Sequence, residues 1–192
     1  MADSGNLKKL RDLENQIKVC RACPLHKART NTVPGGGNPD ARILIIGEAP
    51  GANEDLSGQP FVGMAGKYLD KLLEMAGLPR QNVFITNINK CRPPNNRAPE
   101  PMEIQACAHF LEKQIEILDP RLIICLGGTA ARAVLGLQKI GDERGKLIER
   151  DGRYYFVAYH PAARFHRGKI AEDFHKLRKL LAKKPELAGQ TT

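Results

Sequence analysis
Cysteines and a few polar side chains at the ends of apolar runs are the residues here that could do chemistry. Cys20 and Cys23 form a C-x-x-C pair inside the basic stretch VCRACPLHKAR; Cys91 and Cys107 follow, separated by 15 residues. A fifth, Cys125, lies mid-run in LIICLGG and reads as a small buried hydrophobe. Setting it aside leaves four thiols, the number for a tetrahedral zinc or an iron–sulfur cluster. The competing readings are four incidental thiols, or a redox pair of the thioredoxin kind. The latter belongs at a strand-to-helix turn, whereas this pair follows a helical pattern. Spacing leaves zinc and iron–sulfur both open; the split second pair tilts the choice slightly to iron–sulfur.

Three loops add other groups. GEAPGANEDLSGQPFVGMAG offers the acids Glu48, Glu54 and Asp55, glycines for close ligand approach, and Phe61, which reads equally well as a core anchor. It fits neither the P-loop order nor G-x-G-x-x-G. TNINKCRPPNNRAPEP opens with Asn87, whose amide can both donate to and accept from a planar heterocycle, or else cap a turn. Lys90, Arg92 and Arg97 beside it suit phosphates. YHPAARFHRGK carries His160 at a strand end, with Arg164, Arg167 and Lys169 flanking Phe165. A basic loop with one apolar tip suits a wedge into DNA, and equally an ordinary exposed loop.

The elements that must position these groups alternate. ARILIIGEAPG, NVFITNINKC, RLIICLGG and RYYFVAYHP are short apolar runs ending in loops, as buried parallel strands would. Helical spacing predicts an amphipathic helix over residues 6–18 through Leu7, Leu10, Leu13 and Ile17. Further helices follow in KYLDKLLEMAG, PMEIQACAHFLEKQIEIL and IAEDFHKLRKLL. This predicts a parallel sheet covered on both faces, with ligands beyond the carboxyl ends of the strands. All four loops, including Gly127–Thr129, then share one sheet edge.

The 192 residues suffice for one domain with a real core, and residues 183–192 (KKPELAGQTT) read as a frayed tail. No 18-residue apolar run and no leader pattern is present, so a cytoplasmic protein without a membrane partner is expected. Thirty Lys and Arg against 21 Asp and Glu give a net charge of +9, favouring a polyanionic partner, nucleic acid first.

GEAPGANED, GQPFVG, TNINKCRPPNNRAP and HPA, with the four cysteines, together resemble the family 4 uracil-DNA glycosylases, in order, from about Cys20 to His160. The resemblance implies a three-layer α/β/α fold with a central four-stranded parallel sheet. It implies a [4Fe–4S] cluster on Cys20, Cys23, Cys91 and Cys107, and excision of uracil from DNA by hydrolysis of its N-glycosidic bond. Phe61 would then stack on the flipped base and Asn87 would read its Watson–Crick edge. His160 would donate to the anion developing on a uracil oxygen, aided by the amides around Glu48 and Ala49. Glu48 would position water or stabilise the sugar cation, Glu54 would crowd out the 5-methyl of thymine, and Asn96 would join the substrate contacts. Arg92, Arg97, Arg164, Phe165 and Arg167 would meet DNA, with Arg21, Lys27 and Arg29 near phosphates.

Departures qualify the likeness. Ala49 stands where the best-known superfamily branch, with its GQDPYH motif, has a water-handling Asp, and HPAARFHRG offers Arg164 and Phe165 in place of a Leu-rich wedge. RPPNNRAP has no histidine, which argues against the covalent trapping of a related branch. A monomer is expected, and nothing in the sequence specifies a protein partner such as a sliding clamp. The reading from another class is a non-catalytic iron–sulfur or zinc module that recognises damaged or abasic DNA, but it would not need Glu48, Asn87 and His160 together.

Overall fold
Ile43–Gly47 (β2) and Leu122–Leu126 (β4) are buried at every residue. Such strands must lie between neighbours on both sides with helices over both faces, and the computed structural model, which describes residues 5–189, has that arrangement. Alternate residues feed opposite layers. Ile43 and Ile45 pack with Leu69, Leu72 and Leu73 of α3 (Met64–Ala76) and with Phe174 and Leu177 of α6 (Arg167–Lys183). Leu44 and Ile46 pack with Leu111 and Leu118 of α4 (Pro101–Leu118) and Ala130 and Ala131 of α5 (Gly128–Leu135). Each large apolar side chain so enclosed contributes about 1.5–3 kcal/mol on leaving water. A smaller cluster joins Leu13 and Ile17 of α1 (Gly5–Val19) to Cys107 and Phe110 of α4.

Among the described residues the sheet has six strands, not four. The four expected strands are present and mutually parallel: β3 (Phe84–Asn87), β2, β4 and β6 (Arg153–Ala158), in that spatial order. Antiparallel edges flank them, β1 (Gly36–Gly37) on β3 and β5 (Leu147–Arg150) on β6. Two glycines carry no hydrophobic pattern, and LIER is only half covered, so neither edge had a signal in the sequence. Helix α5 and the short α2 (Ala52–Ser57) likewise occupy stretches that periodicity left as loops.

The C-terminal tail is not frayed from residue 183. Helix α6 continues to Lys183, Pro185–Ala188 form a helical turn, and Leu187 is buried in the α3–α6 core. Leu187 and the partly buried Ala188 pack on that core and hold the turn in place. Positions 190–192 of the expected tail lie outside the described residues. No described helix is long and apolar enough to cross a membrane.

Candidate active site
Register brings the loop ends together. Gly47 pairs with Asn87, and Leu126 with Ala158, so β2, β3, β4 and β6 release their loops at one edge. There a cavity of about 500 Å³ is lined by Glu48, Ala49, Glu54, Phe61, Asn87, Asn96, Arg97 and His160. Arg164 and Arg167 line a neighbouring hollow of about 340 Å³ together with Asn96. Arg92 lines neither cavity, and Phe165 stands fully exposed on the turn Arg164–His166.

Phe61 is buried with φ +53°, an uncommon conformation for a bulky residue. Glu54 holds it there: one carboxylate oxygen accepts the N–H groups of Val62 (2.9 Å) and Gly63 (2.8 Å), the other that of Gly51 (3.1 Å). Glu54 does face the cavity, but both its oxygens are engaged in clamping the aromatic loop. Close approach requires glycine twice. A Cβ on Gly66 would lie 1.8 Å from the Phe61 carbonyl oxygen, and one on Gly47 would lie 2.4 Å from Asn87 Oδ1 and 2.7 Å from the Phe61 ring. The ring and the amide thus share a floor of bare backbone. Asp55 points elsewhere, accepting the N–H groups of Thr30 and Asn31.

Asn87 is 2% exposed, and its Oδ1 is buried without a hydrogen-bond partner. A buried acceptor left unmade costs about 1–3 kcal/mol, and this one belongs to a residue of the cavity wall. His160 stands 5.7 Å from Phe61, centroid to centroid. Burial pushes its pKa below the ordinary value, with the charges of Glu48 and Glu54 acting in the opposite sense. The Ala162 N–H donates to Nδ1 at 3.1 Å. The neutral imidazole therefore carries its proton on Nε2, as a donor.

Glu48 accepts the hydroxyl hydrogen of Thr129, at the start of α5. The only sequence signal for Thr129 is its place just past β4, on the edge where the loops meet. Holding one carboxylate oxygen aims the other. Thr129→Val, which keeps shape and removes the donor, is expected to lower turnover about tenfold with substrate affinity nearly unchanged, and Thr129→Ser to restore it. Single-turnover and steady-state rates of the two variants check this.

Several basic residues are tied to partners within the protein. Arg97, itself exposed, grips the buried Glu103 at the cavity rim with two hydrogen bonds of 2.7 and 2.8 Å. This guanidinium holds the Glu103 carboxyl below its ordinary pKa. Arg92 donates from Nε to Asn96 Oδ1 at 2.7 Å, fixing a residue with φ +55°. Lys90 is no phosphate ligand: it is 1% exposed, and burial lowers its pKa to about 8. Arg29 likewise turns from the surface to Cys91 Sγ at 3.0 Å and to the Cys20 carbonyl at 2.9 Å.

Cys20, Cys23, Cys91 and Cys107 line one cavity between α1, α4 and the loop after β3; Cys125 is buried apart from them in β4. Three of these sulfurs accept N–H donors: Cys91 from Arg29, Cys107 from Lys90 N at 3.4 Å and Cys20 from Ala22 N at 3.5 Å. Burial raises the thiols of Cys23 and Cys91, and that of Cys107 to about 11. A bound metal would displace those protons. Among the described residues no three His, Cys, Asp or Glu side chains are gathered to hold one ion. The four sulfurs instead ring a shared space, with N–H donors on them of the kind that tune iron–sulfur clusters.

Comparison with known proteins agrees with this geometry. A family profile described as the uracil DNA glycosylase superfamily matches residues 34–182. The chain is 45% identical over 191 residues to the type-4 uracil-DNA glycosylase of Archaeoglobus fulgidus, covering 93% of this chain and 96% of that one. It is 46% identical over 153 residues to the type-4 enzyme of Thermotoga maritima, covering 78% and 80%. To the type-5 uracil-DNA glycosylase of Thermus thermophilus it is 39% identical over 149 residues, covering 67% and 68%. With its parallel sheet, its edge cavity and these relatives, the chain belongs to the uracil DNA glycosylase superfamily.

Proposed function
We propose that this protein is a monofunctional uracil-DNA glycosylase of the type-4 kind. The carrying observation is the buried, unpartnered Oδ1 of Asn87 beside the ring of Phe61. Uracil presents a donor at N3 between two carbonyl acceptors. The Asn87 amide accepts from N3–H and donates to O4, while Phe61 supports the ring face. Cytosine has an acceptor at N3 and a donor at C4, so the same amide opposes it. Thymine differs by a 5-methyl group, and Glu54 and the loop it clamps close that side.

In the reaction, water oxygen bonds to C1′ and the C1′–N1 electron pair leaves with the base. The water's proton is released, the sugar becomes abasic and the base departs as an anion before reprotonation. Charge is the main demand. His160 donates from Nε2–H to the uracil O2 as it gains charge, assisted by amides around Glu48 and Ala49. Glu48, aimed by Thr129, orients the water or stabilises the oxocarbenium-like sugar. No group suited to covalent trapping lies in RPPNNRAP.

Cys20, Cys23, Cys91 and Cys107 would hold a [4Fe–4S] cluster, whose contribution when bound is to tie α1 to the loop that begins at Asn87. Arg92, Arg164, Phe165 and Arg167 would contact DNA, with Phe165 the apolar tip and Arg97 acting through the rim. The protein would work as a monomer on single- or double-stranded uracil-containing DNA in the cytoplasm, as one domain over 1–192.

A uracil-containing oligonucleotide incubated with the protein and then treated with alkali tests the proposal. Strand cleavage at uracil is expected, and a folded preparation giving none would leave the non-catalytic DNA-binding reading. Iron and sulfide at four each per chain are expected, and stoichiometric zinc in a colourless anaerobic preparation overturns the cluster. Binding should weaken steeply with salt.

A further inference from the structure
Lys90 is 1% exposed, and every hydrogen bond of its ammonium goes to a neutral acceptor: Thr86 Oγ1 at 2.8 Å, the Asn87 carbonyl at 2.6 Å and Gln114 Oε1 at 2.7 Å. An enclosed cation without a carboxylate is costly. Lysine is almost never fully buried unless paired. The proposed catalytic steps make no use of it.

Its surroundings point to a use. Thr86 and Asn87 are the last two residues of β3. Gln114 reaches them from α4 and donates from Nε2 to the Pro34 carbonyl at 2.7 Å, which the Thr86 hydroxyl also meets at 2.8 Å. The ammonium is thus the hub that fixes the end of the strand carrying Asn87. Because Asn87 Oδ1 has no protein partner, backbone placement is what aims that amide. On its other side Lys90 lines the cysteine cavity, where its own N–H donates to Cys107 Sγ. Four thiolates around a [4Fe–4S] core carry a net negative charge, and the cations lining that cavity are Lys90 and Arg29.

We propose that Lys90 is a positioning residue for uracil recognition, fixing the Asn87 backbone through its ammonium while serving as a buried counter-charge to the cysteine-bound cluster. The proposal rests on Asn87 reading uracil. The same residue then links the metal site, through its backbone N–H, to the base pocket, through its ammonium, without touching substrate.

Two variants separate the two halves. Lys90→Met removes the charge and the hub; Gln114→Met loosens the hub and keeps the charge. Each is purified with its cluster, and iron, single-turnover uracil release, inhibition by free uracil and the cluster midpoint potential are measured. Both variants are expected to keep wild-type iron content. KM and the inhibition constant for free uracil should rise about tenfold, with the rate at saturation changed far less. The midpoint potential should fall in Lys90→Met and stay at the wild-type value in Gln114→Met. Unchanged uracil affinity in the iron-loaded variants overturns the positioning role, and an unchanged potential in Lys90→Met overturns the counter-charge. If Lys90→Met does not fold, Gln114→Met decides the positioning role and Lys90→Gln the charge. Failure of the underlying uracil reading is separate, since the wild type would then neither release uracil nor be inhibited by it.

Discussion

His160→Ala is expected to slow uracil release about 10²–10³-fold in single turnover, with the preference for uracil over cytosine intact. The size follows from what one preorganised donor to a developing oxyanion contributes, about 3–4 kcal/mol in a water-poor site. The selectivity survives because His160 and Asn87 leave separate strand ends, β6 and β3, and do different work. Loss of rate and selectivity together would show that His160 also shapes the pocket.

The same histidine sets a pH signature. Its pKa lies below the ordinary value of about 6.5 because burial disfavours the cation. A neutral Nε2–H donor is present at and above neutrality, so the bond-breaking rate should stay flat from about pH 7 to 9. An imidazolium acting as general acid would instead give a rate falling across that range. Stability has a matching sign. The unfolded chain takes the proton first, so the contribution of this group is fully present above about pH 6.5 and is lost as pH falls through the folded value.

What could be read beforehand follows from where the information lies. Runs such as ILIIG and LIICL announce strands buried on both faces, and parallel strands force their loops to one edge. Asn87, Phe61 and His160 can therefore be assembled into a pocket from the sequence alone, and they line one cavity in the structure. The four cysteines converge for the same reason, since Cys91 follows β3 and Cys107 lies on the helix that packs against α1. Side-chain direction is different information. Arg97, Lys90 and Arg29 are indistinguishable in sequence from free surface cations, yet Glu103, Gln114 and Cys91, up to 62 positions away, engage them, and Lys90 is buried outright. Glu54 could be placed at the pocket, but its grip on Val62 and Gly63 depends on a turn whose shape no local pattern encodes.

Asn87→Ala is expected to reduce kcat/KM for uracil about 10²-fold and to collapse discrimination against cytosine. Two hydrogen bonds to the base edge disappear, each worth about 1–2 kcal/mol in a desolvated site. Selectivity falls further than rate, because a site that reads a polar edge rejects the wrong edge by leaving buried groups unpaired. Protein stability should change little. In the free protein Oδ1 is a buried acceptor without a partner, a state that costs about 1–3 kcal/mol. Alanine removes that cost but also gives up the packing of a side chain that is only 2% exposed, so the two effects oppose each other. The variant should therefore melt within a few degrees of the wild type while losing its substrate preference. Calorimetry beside competitive cleavage of uracil- and cytosine-containing strands measures both. A large drop in melting temperature would mean that Asn87 holds the fold, and its vacant oxygen could then no longer be read as the base-recognising group.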